Sequence, residues 1–338
     1  MSVMRSVLLA GSQSVWLRER ATKYAFVQRA VRRFMPGEAF DDMLRAAEAL
    51  RPDGIDAVFT RLGENVVDPS EADEVTRHYL EALERIRAAG IVCEPSVKLT
   101  QLGLDLDKTR CVAHVRALAE RAHATGNYLW IDMEQSPYVD ATLEITRRVR
   151  DEFPNVGVCL QSYLHRTAGD LEAMAAIGAG VRLVKGAYNE PAEIAMPKKA
   201  DVDASYLSLA KAMLAPEVLR KGLRAVFGTH DTALIASIRQ HAATNAIAPK
   251  DYEFHMLYGI QRAEQLRLAK EGAVVRVLIA YGSYWFPGIQ RAEQLRLAKE
   301  GAVVRVLIAY GSYWFPWYMR RLAERPANVW FVAKSMFS

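Results

Sequence analysis

Cysteine is scarce in this sequence: Cys93, Cys111 and Cys159 are its whole complement in 338 residues. An odd number without C-x-x-C spacing argues against a disulfide framework and a cysteine-based zinc cluster. It points to a reducing compartment in which all three thiols pack as small apolar groups. Other catalytic signatures are missing too. No H-E-x-x-H or related spacing joins the seven histidines, and His78, His114, His123 and His241 fall in stretches of helical pattern, so no metal site is expected. No P-loop or G-x-S-x-G elbow is present. With neither a metal nor an activated nucleophile in view, the remaining chemistry is acid/base work or an organic cofactor.

Charge of one sign is not in excess, because 44 basic residues face 39 acidic ones for a net +5. No basic tract with interleaved aromatics occurs, which argues against a nucleic-acid partner. Long apolar runs are absent as well. Near the start only Val7 to Ala10 is uninterrupted, too short for the core of a secretion signal or for a bilayer span, so a soluble protein is expected. What is there is a chain 51% hydrophobic and 25% charged, with enough apolar material for a sizeable core.

Residues 1–50 read as an N-terminal helical arm. In AFVQRAVRRFM (Ala25 to Met35), Phe26, Val27, Ala30, Val31 and Phe34 share one helical face while Arg29, Arg32 and Arg33 take another. That pattern suits docking on the rest of the protein or contact with a membrane surface. From residue 51 to the end the chain alternates between two periods. Apolar, β-rich runs occur at Ile55 to Leu62, Ile91 to Leu99, Tyr128 to Met133, Val156 to Tyr163, Val181 to Tyr188, Arg224 to Thr229 and Tyr252 to Tyr258, separated by helical patterns such as Glu71 to Ala89 and Ala141 to Phe153. VVRVLIAYG supplies an eighth run, at Val274 to Gly282 or again at Val303 to Gly311. The expected fold is therefore α/β, a (βα)8 TIM-like barrel. A doubly wound sheet is the rival, but no G-x-G-x-x-G follows any strand.

Polar residues recur where those runs end. Lys98 closes the second, Asp132 and Glu134 the third, Gln161, Tyr163 and Arg166 the fourth, Lys185 and Tyr188 the fifth, and Thr229, His230 and Asp231 the sixth. In a barrel these ends converge on one mouth. Cations and a carboxylate gathered there suit an anionic ligand such as a phosphate-bearing cofactor, with Lys98 and Asp132 close enough to keep each other charged.

One stretch appears twice. Gly259 to Pro287 recurs letter for letter at Gly288 to Pro316, 29 residues without a substitution. Each copy holds one helix and one strand. Two units do not make a solenoid, and a closed eight-stranded barrel has no room for a ninth strand without changing every register, so one copy is surplus. The strand of the second copy is expected to fill the eighth place, since Pro316 then leads directly into the final helix.

With these elements in place, short strings become recognisable. VRLVKGAY (Val181 to Tyr188) resembles the flavin-binding strand of the proline dehydrogenase family. RLGENV (Arg61 to Val66), SVKLTQLGL (Ser96 to Leu104), WIDME (Trp130 to Glu134), LQSYLHR (Leu160 to Arg166), FGTHD (Phe227 to Asp231), EFHMLYGI (Glu253 to Ile260) and YMRRLAERP (Tyr318 to Pro326) resemble that family in the same order. The resemblance is to the single-function enzyme. It implies noncovalent FAD at the barrel mouth and oxidation of L-proline to Δ1-pyrroline-5-carboxylate, with electrons passed to a membrane quinone. It also implies a cytoplasmic location with peripheral contact to the inner membrane. By similarity, Arg182 and Gln161 touch the isoalloxazine ring, and Val184, Lys185, Gly186, Ala187, Thr229 and His230 complete the cofactor cradle. Arg320 and Arg321 grip the substrate carboxylate, a task for which paired guanidiniums are chemically suited. Lys98 and Asp132 form a polar wall, Tyr188 and Leu257 an apolar one, and Glu64 pairs with Arg320 as a gate.

The sequence departs from the family pattern in three places. Leu278 or Leu307 stands where a tyrosine would face the substrate, Trp317 stands where another tyrosine is usual, and His255 takes a place often held by Gln or Leu. Two further readings stay open. One is another flavin barrel, of the methylenetetrahydrofolate reductase kind; the other is a folded but inactive barrel disrupted by the duplication.

Overall fold

The computed structural model describes residues 34–282. They divide into two compact units: Leu44–Thr60 with Glu64–Ile279, and a second that takes in 34–43, Arg61–Gly63 and 280–282. Eight parallel strands follow one another around a closed barrel: β1 (Asp56–Arg61), β2 (Cys93–Val97), β3 (Leu129–Ile131), β4 (Val156–Gln161), β5 (Gly180–Val184), β6 (Arg224–Gly228), β7 (Tyr252–Leu257) and β8 (Val274–Tyr281). The helices are α1 (Phe40–Glu48), α2 (Pro69–Ala89), α3 (Lys108–Ala124), α4 (Val139–Arg150), α5 (Thr167–Ala176), α6 (Lys199–Met213), α7 (Pro216–Arg220), α8 (Thr232–Thr244) and α9 (Arg262–Lys270). The expected (βα)8 barrel is the observed fold.

Local chemistry starts and stops these elements. Asp68 caps α2 by accepting from the Ser70 N–H at 2.8 Å, Pro69 supplies the first turn, and Gly90 ends the helix in a left-handed conformation at φ +62°. Asp107 and Asp231 cap α3 and α8 in the same way. The strands are shorter at their carboxyl ends than the apolar runs, because the last residues of each run leave the ladder to form the mouth.

Period-2 alternation sends every second side chain inside. At the amino-terminal floor these are charged. Arg224 donates from Nε to Glu253 at 2.6 Å and from Nη2 to Glu94 at 2.8 Å, while Arg276 donates to Glu253 and to Asp56, both at 2.8 Å. Above them Val58, Trp130 and Val226 form a dry layer against which Tyr128 and Leu278 pack. The Trp130 indole N–H reaches down to Glu94 at 2.7 Å, so the two layers are tied. Gly157 and Gly180 are needed beside them, since a Cβ at either would overlap the Tyr128 ring or hydroxyl.

The eighth strand comes from the first copy of the repeat: 253–257 of β7 pair with 274–278 of β8. The expectation that the second copy supplies it is therefore corrected. A left-handed Gly272 turns the chain from α9 straight into β8, and the short link from Leu257 at the end of β7 to Arg262 at the start of α9 makes the first copy the nearest unit to the eighth place. The second copy, Leu307, Trp317, Arg320, Arg321 and most of the N-terminal arm lie outside the described residues.

Two outcomes are expected. Because the copies are identical, deleting either yields the same polypeptide, and this single-copy chain should melt at a higher temperature than the parent; a lower melting temperature would show that both copies support the folded state. Replacing Arg224 by Ala leaves Glu94 and Glu253 short of a countercharge and should cost about 3–5 kcal/mol in denaturant unfolding.

Candidate functional site at the barrel mouth

The strand ends deliver the site residues to one place. Glu64 follows β1, Lys98 follows β2, Asp132 follows β3, Gln161 closes β4, Val184 closes β5 with Lys185, Gly186, Ala187 and Tyr188 after it, Thr229 and His230 follow β6, and Leu257 closes β7. Arg182 lies one inward position below Val184 and is only 4% exposed.

A buried guanidinium needs partners on several sides, and Arg182 has them. Nε donates to the Cys159 sulfur at 2.9 Å, and Nη2 donates to Ser96 Oγ at 2.6 Å and to Asp132 Oδ1. Its plane lies over the Trp130 ring, with Cζ 5.1 Å from the centroid. Ser96 Oγ donates in turn to Asp132 at 2.8 Å, and the Cys159 thiol stands 3.4 Å from the same oxygen. Nη1 is buried without a partner among the described residues. Cys159 is thus more than the apolar filler expected of it: burial pushes its thiol up to about 12, so it stays a neutral group that accepts from Arg182.

Asp132 is shared. Lys98 Nζ lies 3.6 Å from its Oδ2 and 3.8 Å from Glu64 Oε1. Burial opposes the charge on both Lys98 and Asp132, yet Asp132 and Glu64 outweigh it at Lys98, while Arg182 and Lys98 outweigh it at Asp132. The ammonium is held above its ordinary pKa and the carboxylate below its own. Mutual support of the two charges is therefore present in the structure. Tyr188 is near enough to act on the Lys98 charge as well.

The rest of the mouth is arranged by backbone. Gly186 has φ +107°, and a Cβ there would overlap the Tyr163 ring, so only glycine fits. Gln161 donates from Nε2 to the Met133 carbonyl at 3.3 Å, while its Oε1 is buried without a partner among the described residues. His230 Nε2 accepts from the Leu257 N–H at 2.7 Å, which puts the proton of a neutral ring on Nδ1. Lys185 is engaged by Asp203 and, at 3.0 Å, by Asp231. Burial opposes the Asp231 carboxylate, but the hydrogen bond and charge of Lys185, the Leu234 N–H and the Lys199 charge together outweigh it and keep its pKa low.

Glu134 and His255 show the opposite balance. Burial raises the Glu134 carboxyl to about 7 despite two hydrogen bonds from Thr100. Burial lowers His255 to about 4 despite Glu253 beside it, so the unusual histidine is a neutral ring, edge-on to Trp130 at 5.6 Å. Leu278, the copy that occupies the barrel, is the residue standing where a tyrosine was anticipated, and it is half-buried against the dry layer. Among the described residues no cluster of three metal-ligating side chains occurs, and no helix is long and apolar enough to cross a membrane. Ser96, Cys159 and Thr100 were not marked by the sequence as site residues. Their alternation with Lys98 and Gln161 along the strands is the one signal that could have found them.

Comparison with known proteins completes the picture. The family described as proline dehydrogenase matches residues 43–285. Proline dehydrogenase 1 of Bacillus subtilis (strain 168) is 34% identical over 334 residues, 99% of this chain and 99% of that protein. Proline dehydrogenase of Deinococcus radiodurans is 33% identical over 309 residues, 90% of this chain and 89% of that protein. Among solved structures, proline utilization A from Bdellovibrio bacteriovorus, inactivated by N-propargylglycine, superposes with a TM-score of 0.72 at 22% identity. That match covers 87% of this chain and 36% of the other, so this chain spans about a third of the solved protein, and the likeness concerns the fold.

Glu134 makes a testable demand on stability. Its pKa is higher in the folded chain than its ordinary 4.5, so between about 4.5 and 7 the folded state holds a proton that the unfolded state has lost. Stability falls as pH rises through that window and is level above it. Measured by denaturant unfolding, wild type should lose about 3 kcal/mol relative to Glu134→Gln between pH 4.5 and pH 7.5; parallel pH profiles would contradict this.

Proposed function

The chain belongs to the proline dehydrogenase family, and from that premise we propose that it oxidises L-proline to Δ1-pyrroline-5-carboxylate at an FAD bound in the barrel mouth, with a quinone as final acceptor. The single observation that carries this reading is Arg182. It is a buried cation whose Nε and Nη2 are spent on Cys159, Ser96 and Asp132 while Nη1 keeps an unspent donor. A flavin ring offers acceptor nitrogen and oxygen atoms at its edge, and the unpartnered Gln161 Oε1 suits a ring N–H, so the residues present fit the cofactor. Bound FAD supplies the two-electron acceptor.

The chain's own residues do the rest. The Arg182 cation, fixed by the Asp132 carboxylate, favours negative charge arriving at the ring edge. Gly186 lets the backbone after β5 come close to the cofactor, and His230, held by the Leu257 N–H on its Nε2, stands at the same mouth. Val184, Lys185, Ala187 and Thr229 line the cradle in this reading, with Lys185 exchanging a carboxylate partner for an anionic group of the cofactor. Lys98, Asp132 and Tyr188 bound the substrate space on one side and Leu257 on another. Arg320 and Arg321 bind the proline carboxylate, with Glu64 pairing to Arg320 over the bound substrate and excluding water. Leu278 leaves the substrate wall apolar where a phenol would have offered a hydroxyl, which weakens discrimination among ring-substituted prolines. The setting proposed is the cytoplasm, with peripheral contact to a membrane that carries the quinone.

Anaerobic addition of L-proline should bleach the flavin absorbance of the purified protein. In Arg182→Met the rate of bleaching, normalised to bound flavin, should fall about 10²- to 10³-fold. Bleaching by a reduced nicotinamide and not by proline would favour the methylenetetrahydrofolate reductase kind of barrel instead.

A further inference from the structure

The loop that carries Glu64 is held by the ends of two other strands. Thr100, just beyond β2, spends every polar atom it has on this arrangement. Its N–H donates to Glu134 Oε1 at 3.0 Å and its hydroxyl donates to Glu134 Oε2 at 2.5 Å. The same hydroxyl oxygen accepts from the Asn65 N–H at 3.1 Å, and the Thr100 carbonyl accepts from the Val66 N–H at 3.3 Å. Glu134, at the end of β3, is 3% exposed and Thr100 1%. Asn65 itself sits at φ +53°, a left-handed conformation that asparagine tolerates better than most residues with a side chain.

We propose that Glu134 and Thr100 form a latch, a pair of positioning residues that sets the Glu64 carboxylate against Lys98 and thereby sets the affinity of the site for its amino-acid substrate. The inference rests on the reading in the preceding subsection and deepens it. Only a carboxylate offers two acceptor oxygens that can take the Thr100 N–H and O–H together. Only a hydroxyl at position 100 can donate to that carboxylate while accepting from Asn65. Glu64 adjoins Asn65, and its carboxylate stands 3.8 Å from Lys98, so a shift of the Asn65 peptide moves the charge that faces the ammonium.

The charged and titratable groups around Glu134 are Lys98 after β2, Glu64 after β1, Cys111 on α3 and Tyr138 after β3. Among these Lys98 favours the ionised form and Glu64 opposes it, with burial the larger influence. When Glu134 takes up a proton near pH 7, its own O–H competes with the Thr100 hydroxyl, and the latch loosens.

The test compares Thr100→Val, Thr100→Ser and Glu134→Gln in the full chain with FAD added. In Thr100→Val, amide exchange at Asn65 and Val66, read without substrate, should accelerate about 5-fold, the size of one lost hydrogen bond. KM for proline should rise about 5-fold with kcat changed less than 2-fold. Thr100→Ser should restore both quantities, because it keeps the hydroxyl. Wild-type KM should rise as pH falls below about 7, and Glu134→Gln should flatten that dependence. An unchanged KM in Thr100→Val, or equal loss in the Val and Ser variants, overturns the latch. Accelerated exchange in a protein that never oxidises proline would leave the latch intact and remove the proposed substrate, so the two failures are separable.

Discussion

A guanidinium at the centre of a barrel must be neutralised where it stands, because no water reaches it to do so. Arg182 is that group, and Asp132, supported by Ser96 and Cys159, is the neutralising one. The pairing spans strands β2 to β5 and fixes which inward position of each faces the mouth. Losing either charge would strand the other in a low-dielectric interior, so the ion pair and the strand register hold each other in place. The Trp130 ring lies against the guanidinium, and Nη1 is buried without a partner among the described residues.

The two ends of the barrel treat charge differently, and the proposed function rests on that difference. At the floor, Arg224 and Arg276 divide their donors among Glu94, Glu253 and Asp56, and the Trp130 indole donates to the Glu94 Oε2 that Arg224 also reaches. The floor is a plug. At the mouth, Arg182 Nη1 and Gln161 Oε1 are buried and unspent among the described residues, and Lys98 is shared between two carboxylates. Buried polar atoms without partners are rare in folded proteins because each costs stability. Their gathering at the carboxyl ends of the strands, where this fold places its chemistry, supports the proposed cofactor site at the mouth. Between the two ends His255 stays neutral, so the dry layer carries no extra cation beneath Arg182.

Much of this was legible in the sequence. Seven strands and the eighth letter pattern follow from period-2 apolar runs separated by helical ones, and Lys98, Asp132, Gln161 and His230 are placed at strand ends by the sequence because barrel strands end in loops at a common mouth. Cys159 and Ser96 were not found, since each looks like an ordinary small residue inside an apolar run. Their roles arise only when β2, β3, β4 and β5 stand side by side. In the sequence Glu134 is a polar residue at the end of the third run and Thr100 one letter of SVKLTQLGL, and their mutual hydrogen bonds with the Asn65 loop became visible only in three dimensions.

The duplicated segment draws the line between the two sources of information most clearly. The sequence by itself determined that eight helix-strand units suffice, that one copy of GIQRAEQLRLAKEGAVVRVLIAYGSYWFP is surplus, and which residue types crowd the mouth, because periodicity and composition are properties of the chain. It could not determine which copy fills the eighth place, since identical letters have identical propensities. The tertiary structure decided that through connection length: β7 ends at Leu257 and α9 begins at Arg262, so the first copy is the one a short connection delivers to the eighth place. It also decided the charge states of Glu134, His255 and Asp132, because a pKa is set by burial and by neighbours that only the closed fold brings together.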